Sequence, residues 1–217
     1  MHDTLRRLRG RRRGAGTTID RFRLNEIVSQ IAFGGRRSRV YQRIVALAGV
    51  RPGDSVVDVG CSGGYLARKL AAAAEPTGHV TGVDPSETAI AYARGRAGGT
   101  MTFAVGTAQH LALPDSSFDV VTSTLAIHHV PARKREVAFS EMYRVTRPGG
   151  RLLVADFDPA RRPLPLHPGG RRMRRAAATV SPLQELAATA GYRVVSTGRL
   201  PLLRYVVAVR PEEQATP

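Results

Sequence analysis

The chain has 217 residues, 42% of them hydrophobic, a formal net charge of +16 and a single cysteine. That length buries one well-formed core and is too short for two ordinary domains. One cysteine excludes an intramolecular disulfide and a zinc site built from thiolates, and no apolar run approaches the roughly 20 residues needed to span a bilayer. The basic start lacks the apolar segment of a secretory signal, so a cytoplasmic location is expected, ahead of an organellar transit sequence. The charge has the footprint of a nucleic-acid binder. Yet Lys69 and Lys134 are the only lysines among 33 basic residues, and alanine, glycine and valine abound, so compositional bias on a solvated surface explains the excess as well.

Residues 1–18 combine charge and glycine with few large apolar groups and read as a disordered basic tail. One domain is expected over 19–210, with 211–217 as a carboxyl-terminal tail. In 19–50, Phe22, Ile27 and Ile31, then Val40, Ile44, Val45 and Leu47, fall at helical spacing, the second run ending at Gly49. Two helices therefore precede the first strand. Apolar and helical runs then alternate: strand "SVVDVG", helix "YLARKLAAAA", strand "HVTGVD", helix "SETAIAYARGRA", strand "MTFAVG", strand "FDVVTSTL", helix "ARKREVAFSEMYRVT" and strand "GRLLVADF". Strands separated by helices need crossovers, which predicts a mainly parallel sheet with helices on both faces. The Pro/Arg segment 159–180 has no clean period and reads as a flexible cap over the site or as disorder without function. After helix "PLQELAATAG", "YRVVSTGRL" and "LLRYVVAVR" are joined by too few residues around Pro201 for a crossover, so the last strand runs antiparallel.

The stretch "VVDVGCSGGY", Val56–Tyr65, carries a strand into a glycine-rich turn. A dinucleotide turn of G-x-G-x-x-G form, started at Gly60, puts Ser62 second and Tyr65 third, and a tyrosine where the helix must pack closely argues against nicotinamide and flavin. No lysine followed by Ser or Thr closes the turn, which excludes a phosphate loop. Read as acidic-x-G-x-G-x-G, the stretch supplies Asp58, Gly60 and Gly64, with Ser62 in place of the middle glycine.

In that spacing the chain resembles the class I S-adenosylmethionine-dependent methyltransferases. Further motifs follow in order: "VTGVDPS", "VGTAQHLALPDSSFDVVTSTLAIHHV" and "RVTRPGGRLLVADF". The resemblance covers roughly residues 37–209, and "LAIHHVP" and "RVTRPGG" are most similar to the small-molecule branch that includes ubiquinone/menaquinone-biosynthesis methyltransferases. It implies a Rossmann-like open seven-stranded α/β sheet, mainly parallel with an antiparallel last strand, and a ligand across the carboxyl ends of the strands.

The resemblance also implies roles. The methionine portion of the cofactor falls to the turn, where Gly60 and Gly64 allow close backbone approach, Asp58 orients the loop or the amine, and Ser62 narrows the pocket or donates a hydrogen bond. Asp84 would accept from both ribose hydroxyls, with Pro85 beside it, or else serve only as a helix-start residue before "PSETAI". Adenine would lie near Ala108 and Gln109, although Thr107 stands where the family usually has an acid. Ser123 completes the cofactor-facing set and Asp156 lies in the substrate pocket. Cys61 is expected to pack under the turn. His128 and His129 follow the fourth strand at the mouth of the site, where one histidine is a candidate general base and at least one a packing residue. Asp119 braces a strand start. No metal constellation is visible, and the sulfonium needs mainly alignment of a small-molecule acceptor.

Nucleic acid is the second-choice acceptor. Arg171, Arg172, Arg174 and Arg175 suit it, but "TSTLAIHH" lacks the Asp/Asn-Pro-Pro-aromatic segment of exocyclic-amine enzymes, and the only cysteine sits in the turn rather than where a C5-cytosine enzyme needs it. Ser62 and Thr107 leave a third reading, a protein of this fold that binds without turnover.

Overall fold

The computed structural model describes residues 35–158 and 182–212. The basic tail 1–18, the first amino-terminal helix, the Pro/Arg segment 159–180 and residues 213–217 lie outside the described residues. Within them, the elements are α1 (Arg37–Ala48), β1 (Ser55–Val59), α2 (Tyr65–Ala74), β2 (His79–Asp84), α3 (Glu87–Arg94), β3 (Met101–Val105), β4 (Phe118–Thr124), 3-10 turns Ile127–His129 and Ala132–Lys134, α4 (Arg135–Val145), β5 (Thr146–Phe157), α5 (Leu183–Thr189), β6 (Arg193–Leu200) and β7 (Leu203–Val209).

Local chemistry explains the boundaries. In α1, Val40, Tyr41, Ile44 and Ala48 form one buried stripe, and Gly49 ends the helix at φ +64°, its amide donating to the Val45 carbonyl. Ser86 opens α3 by accepting from the Ala89 amide at 3.2 Å. The expected helix from Ala132 starts as a 3-10 turn and becomes α-helical at Arg135. Strand β5 is longer than the sequence pattern implied, because pairing of Thr146 with Phe118 resumes at Arg151 with Val120 after an irregularity that contains Pro148, Gly149 and Gly150.

The sheet has seven strands in the order β3-β2-β1-β4-β5-β7-β6. Strands β1 to β5 pair in parallel, and β7 is antiparallel to both β5 and β6, as the short connection at Pro201 requires. Alternation along the strands divides the core. Val56, Val120, Leu153 and Ala155 face α1, α2 and α3, whereas Val57, Val121, Leu152 and Val154 face α4 and α5. Burying Phe139, Met142, Leu183 and Leu186 on the second face contributes about 1.5–3 kcal/mol per side chain. The order reverses between β1 and β4, and an open α/β sheet forms its crevice at the carboxyl ends of such neighbours. Because α1 leads into the amino end of β1, its first turn, with Arg37, lies at the carboxyl edge, beside that crevice.

Candidate active site

The glycine turn is tied to β2 rather than to its own strand. Gly60 and Cys61 donate their amides to the Val83 carbonyl at 2.7 and 3.1 Å, and the Ser62 amide donates to Asp84 Oδ2 at 2.9 Å. Gly60 has φ +80°, and a Cβ there would overlap the Ala126 methyl, so the turn touches the loop that follows β4. Gly64, at φ +76°, starts α2, and a Cβ would meet the Phe103 ring at 3.0 Å. Ser62 also has positive φ, +48°, which is why glycine suits this position. Its amide makes the contact to Asp84.

Asp58 is buried and points, with Val56, toward α1 and α2. Its Oδ1 accepts from the Thr122 hydroxyl of β4 at 2.9 Å, so it is braced by a neighbouring strand and not by the turn amides. Burial pushes its carboxyl up to about 7; the Thr122 hydrogen bond lowers it and the Asp84 charge raises it. A cation seated here would restore the charged form. Cys61 is buried beneath the turn, and burial with the Asp58 and Asp84 charges raises its thiol well above the ordinary range, which makes it a packing residue and a poor nucleophile.

Asp84 spans the turn and the next helix, with Oδ2 accepting from Ser62 and Oδ1 from the Ser86 amide at 2.9 Å. Each carboxylate oxygen has a second acceptor site, enough for hydroxyl donors. Pro85 beside it is exposed. Ser123 is fully buried and donates its hydroxyl to the Val59 carbonyl at 2.9 Å, so that group braces β4 on β1. Asp119 braces the start of β1 by accepting from the Ser55 amide at 2.8 Å, and pairs with Arg147.

Ala108 and Gln109 are half-buried in the segment after β3, where the His110 amide closes a turn on the Thr107 carbonyl. Residues on α4, which the sequence did not single out, hold this segment. Glu141 accepts from the Leu111 amide at 2.7 Å, and Arg144 donates to the Leu111 and Leu113 carbonyls at 2.7 and 2.9 Å and pairs with Asp115. The Arg144 hydrogen bonds hold the Glu141 carboxyl below its usual value. Gly82 was missed as well: a Cβ there would come within 2.5 Å of the Phe103 ring and 2.8 Å of the Cys61 sulfur, so a bare backbone lets β3 and the turn pack together.

The two histidines separate. His128 Nδ1 lies 2.8 Å from Asp156 Oδ1, and the His128 amide donates to Oδ2 at 2.9 Å. Asp156 is fully buried on the α4 side of β5 and also accepts from the Phe157 amide at 2.7 Å. An ionised carboxylate only accepts, so the proton sits on Nδ1 and the Nε2 lone pair is the free one. His129 is exposed and lies against the His128 ring, with centroids 3.9 Å apart. The structure thus joins His128 to Asp156, a pairing 28 residues apart that no local pattern announces.

The methyltransferase-domain family matches residues 56–150, the span from the turn strand to the Pro-Gly-Gly segment. The match identifies those residues as a methyltransferase domain. The chain is 35% identical over 145 residues to a ubiquinone/menaquinone biosynthesis C-methyltransferase of Ectopseudomonas mendocina, covering 64% of this chain and 56% of that protein. It is 35% identical over 136 residues to a demethylmenaquinone methyltransferase of Symbiobacterium thermophilum, covering 60% of this chain and 53% of that protein. The chain therefore matches little more than half the length of these relatives. A solved S-adenosylmethionine-dependent methyltransferase from Aquifex aeolicus has the same fold, with a TM-score of 0.66 at 19% identity over 78% of this chain and 89% of that one. Among the described residues, no helix is long and apolar enough to cross a membrane, and no group of three or more His, Cys, Asp or Glu could hold a metal ion.

Proposed function

We propose that the protein transfers the methyl group of S-adenosylmethionine to a small-molecule acceptor of the phenol or quinol class by in-line displacement. The reading is supported most by the combination of a buried, proton-holding Asp58 at the glycine turn with a His128 oriented by Asp156 one loop away. Asp58 takes the ammonium of the methionine portion, Asp84 the ribose hydroxyls, and the segment of Ala108 and Gln109 the adenine. The sulfonium supplies an electrophilic methyl group when the cofactor is bound. His128 Nε2 accepts the proton of the acceptor hydroxyl, which makes a phenol or quinol nucleophilic near neutral pH, while Asp156 steadies the imidazolium that results. His129 packs against that ring and is the structural member of the pair. The quinone-pathway names of the 35% identical relatives support a quinol among the acceptors tried first.

The test is calorimetric titration of protein stripped of carried-over cofactor with S-adenosylmethionine and with NADH. Transfer of labelled methyl to demethylmenaquinol, small phenols and RNA is then assayed. Micromolar binding of S-adenosylmethionine alone, with label entering a phenol or quinol, is the expected result. Label entering RNA only would overturn the acceptor class. Asp84→Ala should abolish cofactor binding, since it removes the ribose acceptor and the Ser62 and Ser86 contacts together; unchanged affinity would sink that assignment.

A further inference from the structure

The crossover from β3 to β4 passes two strands, β2 and β1, in residues 106–117, all described and none helical. Parallel strands are usually joined through a helix, which satisfies its own peptide groups, and a bare segment must find partners elsewhere. Here α4 supplies them. The Leu111 amide donates to Glu141 Oε2 at 2.7 Å, and the Leu111 and Leu113 carbonyls accept from Arg144 Nη2 and Nη1 at 2.7 and 2.9 Å. Farther along, the Ser116 and Ser117 amides donate to the Arg144 and Val145 carbonyls at 2.8 and 3.0 Å, which lays the segment along the helix to its end.

Glu141 and Arg144 act as one unit. Arg144 Nε and Nη2 lie 2.8 and 2.9 Å from the two carboxylate oxygens of Glu141, one turn back on the same helix, and Nη1 pairs with Asp115. All three guanidinium nitrogens are engaged, and Glu141 Oε2 is shared between Arg144 and the Leu111 amide. A planar fork locked on a carboxylate has a single orientation. The buried Leu111 side chain sets how deep the segment sits, and the clamp sets which way its backbone faces.

The turn just before the clamp is what this fixes. The His110 amide donates to the Thr107 carbonyl at 3.1 Å, which closes the turn with its end residues and leaves the peptide groups of Ala108 and Gln109 to a ligand. Upstream, the Gly106 amide donates to the Asp84 carbonyl at 3.1 Å; downstream, the Leu111 peptide is held by Glu141 and Arg144. An adenine edge offers an acceptor at N1 beside a donor at N6, which a backbone amide and carbonyl match only in one position. Thr107 brings no carboxylate to help, so the placement of the backbone carries the reading.

We propose that Glu141 and Arg144 are positioning residues for cofactor selectivity, holding the turn of Thr107–His110 where its backbone distinguishes adenine from other purines. This rests on the reading above that Ala108 and Gln109 face the adenine, and deepens it by naming what sets that contact from the far side of the segment. Neither residue touches the cofactor. Their loss should therefore cost discrimination at the base more than binding of the rest of the ligand.

The experiment titrates the full chain with S-adenosylhomocysteine and with S-inosylhomocysteine, in which the 6-amino group is an oxo group and N1 carries a proton. Circular-dichroism melts check that each variant is folded. Wild type should prefer the adenine ligand on the order of 10- to 100-fold, as for two hydrogen bonds whose partners are otherwise left unpaired. Arg144→Met and Glu141→Leu should each reduce that preference to within about threefold, chiefly by weakening S-adenosylhomocysteine, since the inosine ligand never used the contact. Glu141→Gln keeps an acceptor oxygen for the Leu111 amide and should retain most of the preference. Arg144→Lys, which keeps the charge and loses the fork, should fall between and replaces either disruptive variant that does not fold. A preference ratio that stays at the wild-type value in the disruptive variants, whether both ligands weaken equally or neither does, would overturn the proposal and leave the clamp a structural brace. A wild type that binds S-adenosylhomocysteine without preferring it would also overturn it, with the cofactor reading intact. Failure of the wild type to bind either ligand would overturn both.

Discussion

Two buried aspartates at the carboxyl end of the sheet, Asp58 on β1 and Asp156 on β5, have opposite environments. Asp58 faces α1 and α2 with one hydroxyl donor, from Thr122, and burial raises it to about 7. Asp156 faces α4 and accepts three N–H groups, from the His128 amide and ring and from the Phe157 amide. A carboxylate with few donors in a dry site keeps binding capacity for an incoming cation, whereas one already saturated holds its neighbours in place. Burial alone therefore does not identify a ligand-binding acid. The count and charge of the donors around them set the two apart, and in this fold the two environments fall on opposite faces of the same sheet.

That division of labour can be broken from either side. The largest effect is expected from His128→Ala, which should lower kcat by about 10²- to 10⁴-fold, the usual contribution of a positioned base. Affinity for S-adenosylmethionine should stay near wild type; a variant that loses cofactor and keeps kcat would reverse the roles of the two clusters. Next is Asp58→Asn, which removes the charge that meets the ammonium and should weaken the cofactor on the order of 10- to 100-fold by calorimetry. The folded carboxyl holds its proton to about 7 against an ordinary value of 3.8. The native state thus binds the extra proton, and the Asp58 contribution to stability is present below about pH 4 and lost as pH rises through about 7. Without ligand, Asp58→Asn should melt at increasingly higher temperature than wild type between pH 4 and 8, the difference levelling above about 7. Cofactor affinity of the wild type should strengthen over the same rise in pH, as the carboxyl ionises. A flat difference in melting temperature across that range would mean the carboxyl is not held protonated. The smallest effect sharpens the contrast: Asp156→Asn offers one acceptor oxygen to three donors, and each donor left without a partner costs about 1–3 kcal/mol. Its melting temperature should fall by several degrees, opposite in sign to Asp58→Asn at pH 8. Stabilisation by both substitutions would erase the distinction.

Much of the architecture was legible because its causes are local. Short apolar runs bounded by glycine marked β1 and β2, and the helical spacing of Val40, Ile44, Val45 and Leu47 with Gly49 after it marked α1. Gly60 and Gly64 were readable from the turn's spacing, and both have the positive φ that glycine adopts most easily. The site was legible less evenly. Asp58, Asp84, His128 and Asp156 were all singled out, but Asp84's double hold on Ser62 and Ser86 was not, nor was the burial of the Ser123 hydroxyl against Val59. Thr122 in "FDVVTST", and Glu141 and Arg144 in "AFSEMYRVT", drew no role from the sequence. Nothing in their own neighbourhood separates those roles from the bland ones.

What the sequence determined by itself was the order of strands and helices, the antiparallel last strand and the kind of ligand turn. Each follows from steric and hydrophobic demands that act within a few residues along the chain. The tertiary structure alone decided the chemistry of the site. Thr122 meets Asp58 across 64 residues, His128 meets Asp156 across 28, and Glu141 meets Leu111 across 30. Those pairings depend on strand order, on register and on which way alternation turns each side chain. Only the assembled sheet with helices packed on both faces specifies these, because a shift of one residue in register would send every such group to the opposite face.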